Sequence, residues 1–365
     1  MTQSATFQPN WTTPPGATVL DVLLERDISV NQFANDIQKE SEEVSRLLHG
    51  VEPLTADWAQ LLADRLGASP NFWLRREELY RSDVHRLCEM AAARNDAQWV
   101  SALPIKEMVQ FGWIRNGATK KETISNACAF LAAYTNDGLD KRYTHLFETT
   151  AYRTSAAFES NLSSEIVWLR QGEIAASAID CQVWSEQKLQ DSLGAIRSLT
   201  RSQDPDHFFP ELTQLLAACG VALVVERAPK GCRASGAARF LTDKKALIQL
   251  SARYLADDQL WFTLFHEIGH LILHSKKDVF LEVDGVDDEA TIDAEIEADK
   301  FAAETLFQKV GLGAVDDVEL TKFAIARLAR KADISPGLVV GRLQTMQRIP
   351  YKHFNFLKVR YAWHQ

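Results

Sequence analysis

Apolar positions along the chain change spacing twice. Up to about residue 80 they recur at helical intervals. Pro14-Pro15-Gly16 breaks the chain before a helix carrying Val19, Leu20, Leu23 and Leu24. Phe33, Ala34, Ile37, Val44, Leu47 and Leu48 then have the spacing of two short helices around a turn. Thr55 is placed to cap a further helix ending at Leu66-Gly67, and Ser69-Pro70 starts a fifth. Residues 96–205 also read as helical, with Trp113 and Trp168 as core residues and Arg201-Ser-Gln-Asp-Pro-Asp206 as the linker. At 220 the pattern turns to strands: 220–226, then 235–241 and 245–250 joined by Thr242-Asp243-Lys244 as a hairpin. Helical spacing returns in the proline-free apolar run 261–274, in 295–306, and in 325–343, which reads as a second small helix-turn-helix. The expected fold class is α+β and mainly helical. It comprises an all-α helix-turn-helix domain at 1–80, a helical middle region at 96–205, and a C-terminal domain at 206–365 with a short sheet.

The apolar run contains His266-Glu267-Ile-Gly-His270, the pattern H-E-x-x-H. One helical turn separates His266 from His270, so both imidazoles can reach one ion. Glu267 lies beside the pair, placed to take a proton from water rather than to bind the metal. A buried helix can also carry paired histidines for packing alone, and the second helix tips the balance. There Glu295, Ala298, Asp299, Ala302 and Leu306 share a face that should point inward. A carboxylate aimed into a core is costly unless it is paired or holds a metal. Glu295 is therefore the third ligand, and Asp299 is placed to orient a ligand histidine. Glu297 is read on the opposite side, as the weaker choice. Two His and one Glu with an open position is a catalytic zinc pattern, one ion per chain. His274 would overreach a shared ion and reads as a helix C-terminal residue at the negative dipole end. Leu273 and Lys276 exclude the longer three-histidine motif. A short sheet before such a helix is the zincin layout, and the strand at Ala237, Ala238, Arg239 and Phe240 is the candidate seat for an extended substrate.

Composition narrows the setting. The net charge is −9, which argues against nonspecific coating of nucleic acid. Five scattered cysteines without a C-x-x-C pair suit a reducing compartment and exclude a cysteine zinc site; Cys232, in a glycine-containing loop, is the one to test for reactivity. No apolar run approaches 18 residues and no leader pattern precedes the first helix, so a cytoplasmic protein without a membrane partner is expected.

The first 80 residues resemble the XRE-type helix-turn-helix proteins, and among them the HigA-like antitoxins. The likeness rests on Gln32-x-Ala34, Val44-Ser45-Arg46-Leu47-Leu48-His49-Gly50, Leu62-Ala63-x-x-Leu66-Gly67 and Ser69-Pro70-x-Phe72-Trp73-Leu74. It implies Gln32, Ser41, Ser45 and Arg46 as DNA-facing residues. Two departures stand out: Gln38 replaces the usual turn glycine, and Glu40-Ser41-Glu42-Glu43 opens the recognition helix. The module carries twelve acids against six bases, a poor electrostatic design for a duplex reader. Any DNA binding should be weak, and a role in protein contact is the competing reading.

The second half is similar to the ImmA/IrrE metallopeptidases. Phe262-Thr263-Leu264-x-His266-Glu267-x-Gly269-His270, Glu295-x-Glu297-Ala298-Asp299-x-Phe301-Ala302 and Ile334-Ser335-Pro336-x-x-Val339-Val340-x-Arg342-Leu343 carry that likeness. It implies a zincin fold, zinc on His266, His270 and Glu295, Glu267 as general base, and site-specific cleavage of a DNA-binding repressor. The protein partner would be an XRE-type repressor or antitoxin; a homo-oligomer is compatible with the sequence. The alternative is a regulator or antitoxin whose zinc is structural or sensory.

Overall fold

The computed structural model describes residues 9–93, 98–134, 138, 156–274, 280–283 and 292–363. The chain divides into two compact units. One holds Met1–Glu148, Tyr152–Asp180 and Pro229–Cys232; the other holds Thr149–Ala151, Cys181–Ala228 and Arg233–Gln365. The division at Asp180 falls inside the 96–205 stretch that reads as one helical region.

The first unit is helical. It opens with α1 (Pro15–Glu25), α2 (Val30–Asp36), α3 (Ser41–Leu48), α4 (Ala56–Leu66) and α5 (Pro70–Ala93). Local chemistry sets these boundaries. The Ser29 hydroxyl accepts from the Gln32 amide at 3.1 Å while the Gln32 side chain accepts from the Ser29 amide at 2.8 Å, a reciprocal cap for α2. The Thr55 hydroxyl accepts from the Trp58 amide at 3.4 Å to start α4. Gly67, at φ +95°, ends it in a region side-chain-bearing residues avoid. Between α2 and α3 the left-handed residue is Gln38, at φ +55°, so the turn forms without its glycine. Val19, Leu23, Phe33, Val44, Leu47, Trp58, Leu62 and Trp73 make the core. Each such side chain contributes about 1.5–3 kcal/mol through burial.

After α6 (Ile105–Gln110) and α7 (Lys120–Leu131), α8 (Ala156–Ser177) packs on α3. This bears on the DNA-facing candidates. Ser45 has no exposed surface: its hydroxyl donates to the Ile174 carbonyl and also meets the Ser177 hydroxyl. Arg46 is half-buried, donating to the Trp113 carbonyl at 3.4 Å with Glu52 4.0 Å away. Ser41 is half-buried and Gln32 is exposed but committed to its cap. Ser45 therefore cannot face a duplex in this structure, because α8 covers it. Cys232, the cysteine singled out for a reactivity test, is also buried.

The second unit pairs helices with a small sheet. Helices α9 (Glu186–Leu199) and α10 (Pro205–Ala218) precede β1 (Val221–Val225), β2 (Ala234–Thr242) and β3 (Lys245–Leu250). Residues 201–206 do not link separate bodies. The Asp204 carboxylate caps α10 by accepting from the Asp206 amide, and Arg201 pairs with Asp333 of the same unit. Next come α11 (Asp257–Leu273), β4 (Phe280–Val283), α12 (Ile292–Leu306), α13 (Gly313–Asp316), α14 (Lys322–Ala332) and α15 (Pro336–Thr345). The strand order is β1-β3-β2-β4, with β1 and β3 parallel and the other pairs antiparallel. The β2–β3 hairpin forms at Thr242↔Lys245 as expected.

Strand β4 corrects the substrate-strand expectation. Ala237 and Ala238 pair with Gln249 and Ile248 on one side and with Leu281 and Phe280 on the other. Both are interior, with no free ladder groups for an added peptide. Arg239 is buried, and Phe240 packs edge-on to Trp184 at 5.0 Å. Four residues of β4 are too short for a periodicity to show. In the stretch that reads as a second helix-turn-helix and just beyond it, Arg327, Arg330 and Lys331 are exposed, Arg342 is half-buried, and Arg348 donates to the Val315 carbonyl at 2.6 Å. Among the described residues, no helix is long and apolar enough to cross a membrane.

Candidate metal centre

Helix α11 is buried along most of its length, with Trp261, Leu264, Phe265 and Ile268 in the core. Asp257 and Asp258 occupy its first turn, where negative charge complements the helix dipole. Asp257 accepts from the Ser335 hydroxyl at 2.8 Å and the Val359 amide at 3.0 Å; Asp258 pairs with Lys358 in a nearly buried contact. The start of the helix is thereby tied to α15 and the C-terminal segment. This gives Ser335 a place in the motif that carries it.

Helix α12 crosses α11 closely because the contact residues are small. A Cβ at Gly269 would stand 3.1 Å from Phe301 and 3.3 Å from the Ala298 backbone, and Ala298 and Ala302 are fully buried. That approach carries Glu295 to the histidines. His266 Nε2 lies 2.9 Å from His270 Nε2. The Glu295 oxygens lie 3.1 Å from His266 Nε2 and 3.4 Å from His270 Nε2. Both histidines are buried. Burial pushes the Glu295 carboxyl up, but the neighbouring His266 and His270 more than reverse this, leaving it at about 2. Burial likewise holds His270 below the ordinary imidazole range, despite Glu295.

A metal fits this set. His266, His270 and Glu295 form a group whose ligand atoms lie within 4.8 Å of one another. Ligands about 2.0–2.1 Å from a tetrahedral zinc are about 3.3 Å apart, close to the 2.9, 3.1 and 3.4 Å found here. Proton placement agrees. Asp299 Oδ1 lies 2.9 Å from His266 Nδ1, and a carboxylate can only accept. The His266 proton is therefore on Nδ1, and the Nε2 lone pair faces the other two ligands. Converging acceptors at these distances call for a cation.

Asp299 thus lies against the His266 ring, with its side chain 60% exposed. Glu297 does not lie away from the site. Its Oε2 is 3.2 Å from His274 Nε2, and His274 Nδ1 is 3.1 Å from His270 Nδ1. His274 does stand at the C-terminal end of α11, as read, and also touches a ligand.

Glu267 is fully buried beside the two histidines. The residue that shapes its place is one the sequence does not single out. Gly236 of β2 faces it, and a Cβ there would fall 2.2 Å from Glu267 Oε1 and 2.7 Å from Thr263 Cγ2. Thr263 and Glu267 are one turn apart on α11, so the strand backbone itself forms the wall behind the carboxylate. The Gly-Ala-Ala run is the signal that could have pointed there.

Residues 223–344 match the family model described as the IrrE N-terminal-like domain of the Peptidase M78 family. No curated protein matches the chain. The matched stretch contains the two histidines, Glu267 and Glu295, and supports a metallopeptidase of the ImmA/IrrE type. The helices before it lie outside the match.

Proposed function

We propose that this protein is a zinc-dependent endopeptidase that cuts one peptide bond in a protein partner, an XRE-type repressor or antitoxin, and so changes transcription. The observation that carries the reading is Glu267: a carboxylate with no exposed surface, next to a two-histidine, one-glutamate ligand set. His266, His270 and Glu295 would hold the ion. Zinc bound there would lower the pKa of water to about 7 and polarise a carbonyl. Glu267 takes the proton of the attacking water and hands it to the leaving amine. Its burial keeps solvent from competing for that proton, and Gly236 leaves the carboxylate room to stand where it does. Asp299 holds the His266 ring by its Nδ1–H. A purely structural zinc has no use for a buried carboxylate beside its ligands, which disfavours the regulator-only alternative.

For the N-terminal module we propose recognition of the partner rather than of DNA. Its acidic balance and the covering of Ser45 by α8 support that assignment. Docking of a repressor there would raise its effective concentration at the metal centre. The experiment is incubation of zinc-loaded protein with a candidate repressor and with an unfolded control protein, with fragments identified by mass. A single cut in the repressor is expected, and no fragment from either would reject the peptidase.

A further inference from the structure

We infer that His274 and Glu297 are a positioning pair that fixes the proton and ring orientation of His270, so that one helix braces both metal-binding histidines. The inference rests on the metal-centre reading above, and it starts from the exposed end of the chain of contacts. Glu297 Oε2 lies 3.2 Å from His274 Nε2. A carboxylate only accepts, so the proton of a neutral His274 is on Nε2 and its Nδ1 carries a lone pair. That Nδ1 lies 3.1 Å from His270 Nδ1, which must then be the donor. With its proton on Nδ1, His270 presents the Nε2 lone pair toward Glu295 and His266. The result mirrors the arrangement at His266, where Asp299 does the same work directly at 2.9 Å.

The three carboxylates of Glu295-x-Glu297-x-Asp299 therefore divide the labour. Glu295 points at the ion. Asp299 reaches the first histidine in one step. Glu297 reaches the second in two, because His274, one turn beyond His270 on α11, spans the gap. Imidazole ligands held through their second nitrogen bind metal more tightly, by about 10–100-fold. If His274 served only to complement the dipole at the end of α11, its loss would lower stability and leave metal affinity alone.

The test is zinc affinity of the full-length protein by competition with a chelator, alongside melting of the metal-free protein. His274→Ala should bind zinc about 10–100-fold more weakly. Glu297→Ala should weaken it less, and Glu297→Gln, which keeps an accepting oxygen, should restore most of the affinity. Nitrogen-15 spectra of the zinc-loaded wild type should show His274 protonated at Nε2. If His274→Ala does not fold, Glu297→Ala carries the test, since that side chain is 62% exposed. Zinc binding within about twofold of wild type in both alanine variants, or a His274 proton on Nδ1, would overturn the inference. Wild-type protein that holds no zinc would overturn it together with the proposed function, whereas tight wild-type binding unaffected by the variants would reject this inference alone.

Discussion

Gly236 and Glu267 are in such close contact that a methyl group on the glycine would stand 2.2 Å from the carboxylate oxygen. Strand β2 therefore sets where the Glu267 carboxylate, the proposed general base, can be. Gly236→Ala should displace that carboxylate while leaving the histidines and Glu295 in place. Misplacement by about 1 Å costs on the order of 100-fold in rate. The expected outcome is full zinc occupancy with turnover reduced by roughly that factor. Wild-type turnover in this variant would show that Glu267 has room the structure does not give it.

On the proposed assignment Glu295 is an ion ligand, whereas Glu297 acts only through His274. Glu295→Ala should abolish stoichiometric zinc, about one ion per chain, in metal analysis after dialysis. Glu297→Ala should retain it at saturating zinc. Loss of metal in Glu297→Ala with retention in Glu295→Ala would reverse the assignment.

How the sequence fared differs from place to place, for physical reasons. Relations within a single helix were legible because one turn fixes them: His266 with His270, and Glu295 with Asp299. Caps at Thr55 and Gly67 were legible because they act within three or four residues. Periodicity reports that a face is buried, never what buries it. Ser45 shows this, since its partner Ile174 is 129 positions away. Gly236 against Glu267 and His274 against Glu297 are likewise contacts between elements. The substrate strand was misplaced because β4 is too short to announce itself, yet it occupies the ladder beside Ala237 and Ala238.

Duplex DNA should bind the full-length protein weakly. Glu40, Glu42 and Glu43 meet phosphates with like charge, and Ser45 is beneath α8. Fluorescence anisotropy at physiological salt should give no specific complex near 10⁻⁸ M, the range of sequence-specific readers. A complex that tight would contradict both the charge argument and the covered face.

Asp257 links stability to pH. Burial pushes its carboxyl up to about 6, against the pull of the Ser335 and Val359 hydrogen bonds and with the help of the Asp258 charge. A folded-state value above the unfolded one, about 3.9, means that stability is lost as pH rises from about 4 to about 6. Asp257→Asn lacks that term. Its unfolding free energy from urea melts should gain on the wild type across this window, by about 3 kcal/mol in all, and run parallel above it. A constant difference between the two proteins from pH 4.5 to 7 would remove Asp257 as the cause.

The proposed function turns most directly on Glu267. Wild-type protein and Glu267→Gln, each loaded with about one zinc per chain and melting alike, are to be compared on the same repressor. The proposed role of Glu267 predicts a single cut by the wild type and a rate lower by about 10²–10⁴-fold in the variant, since only the proton carrier is gone. Equal cleavage by the two proteins would contradict it.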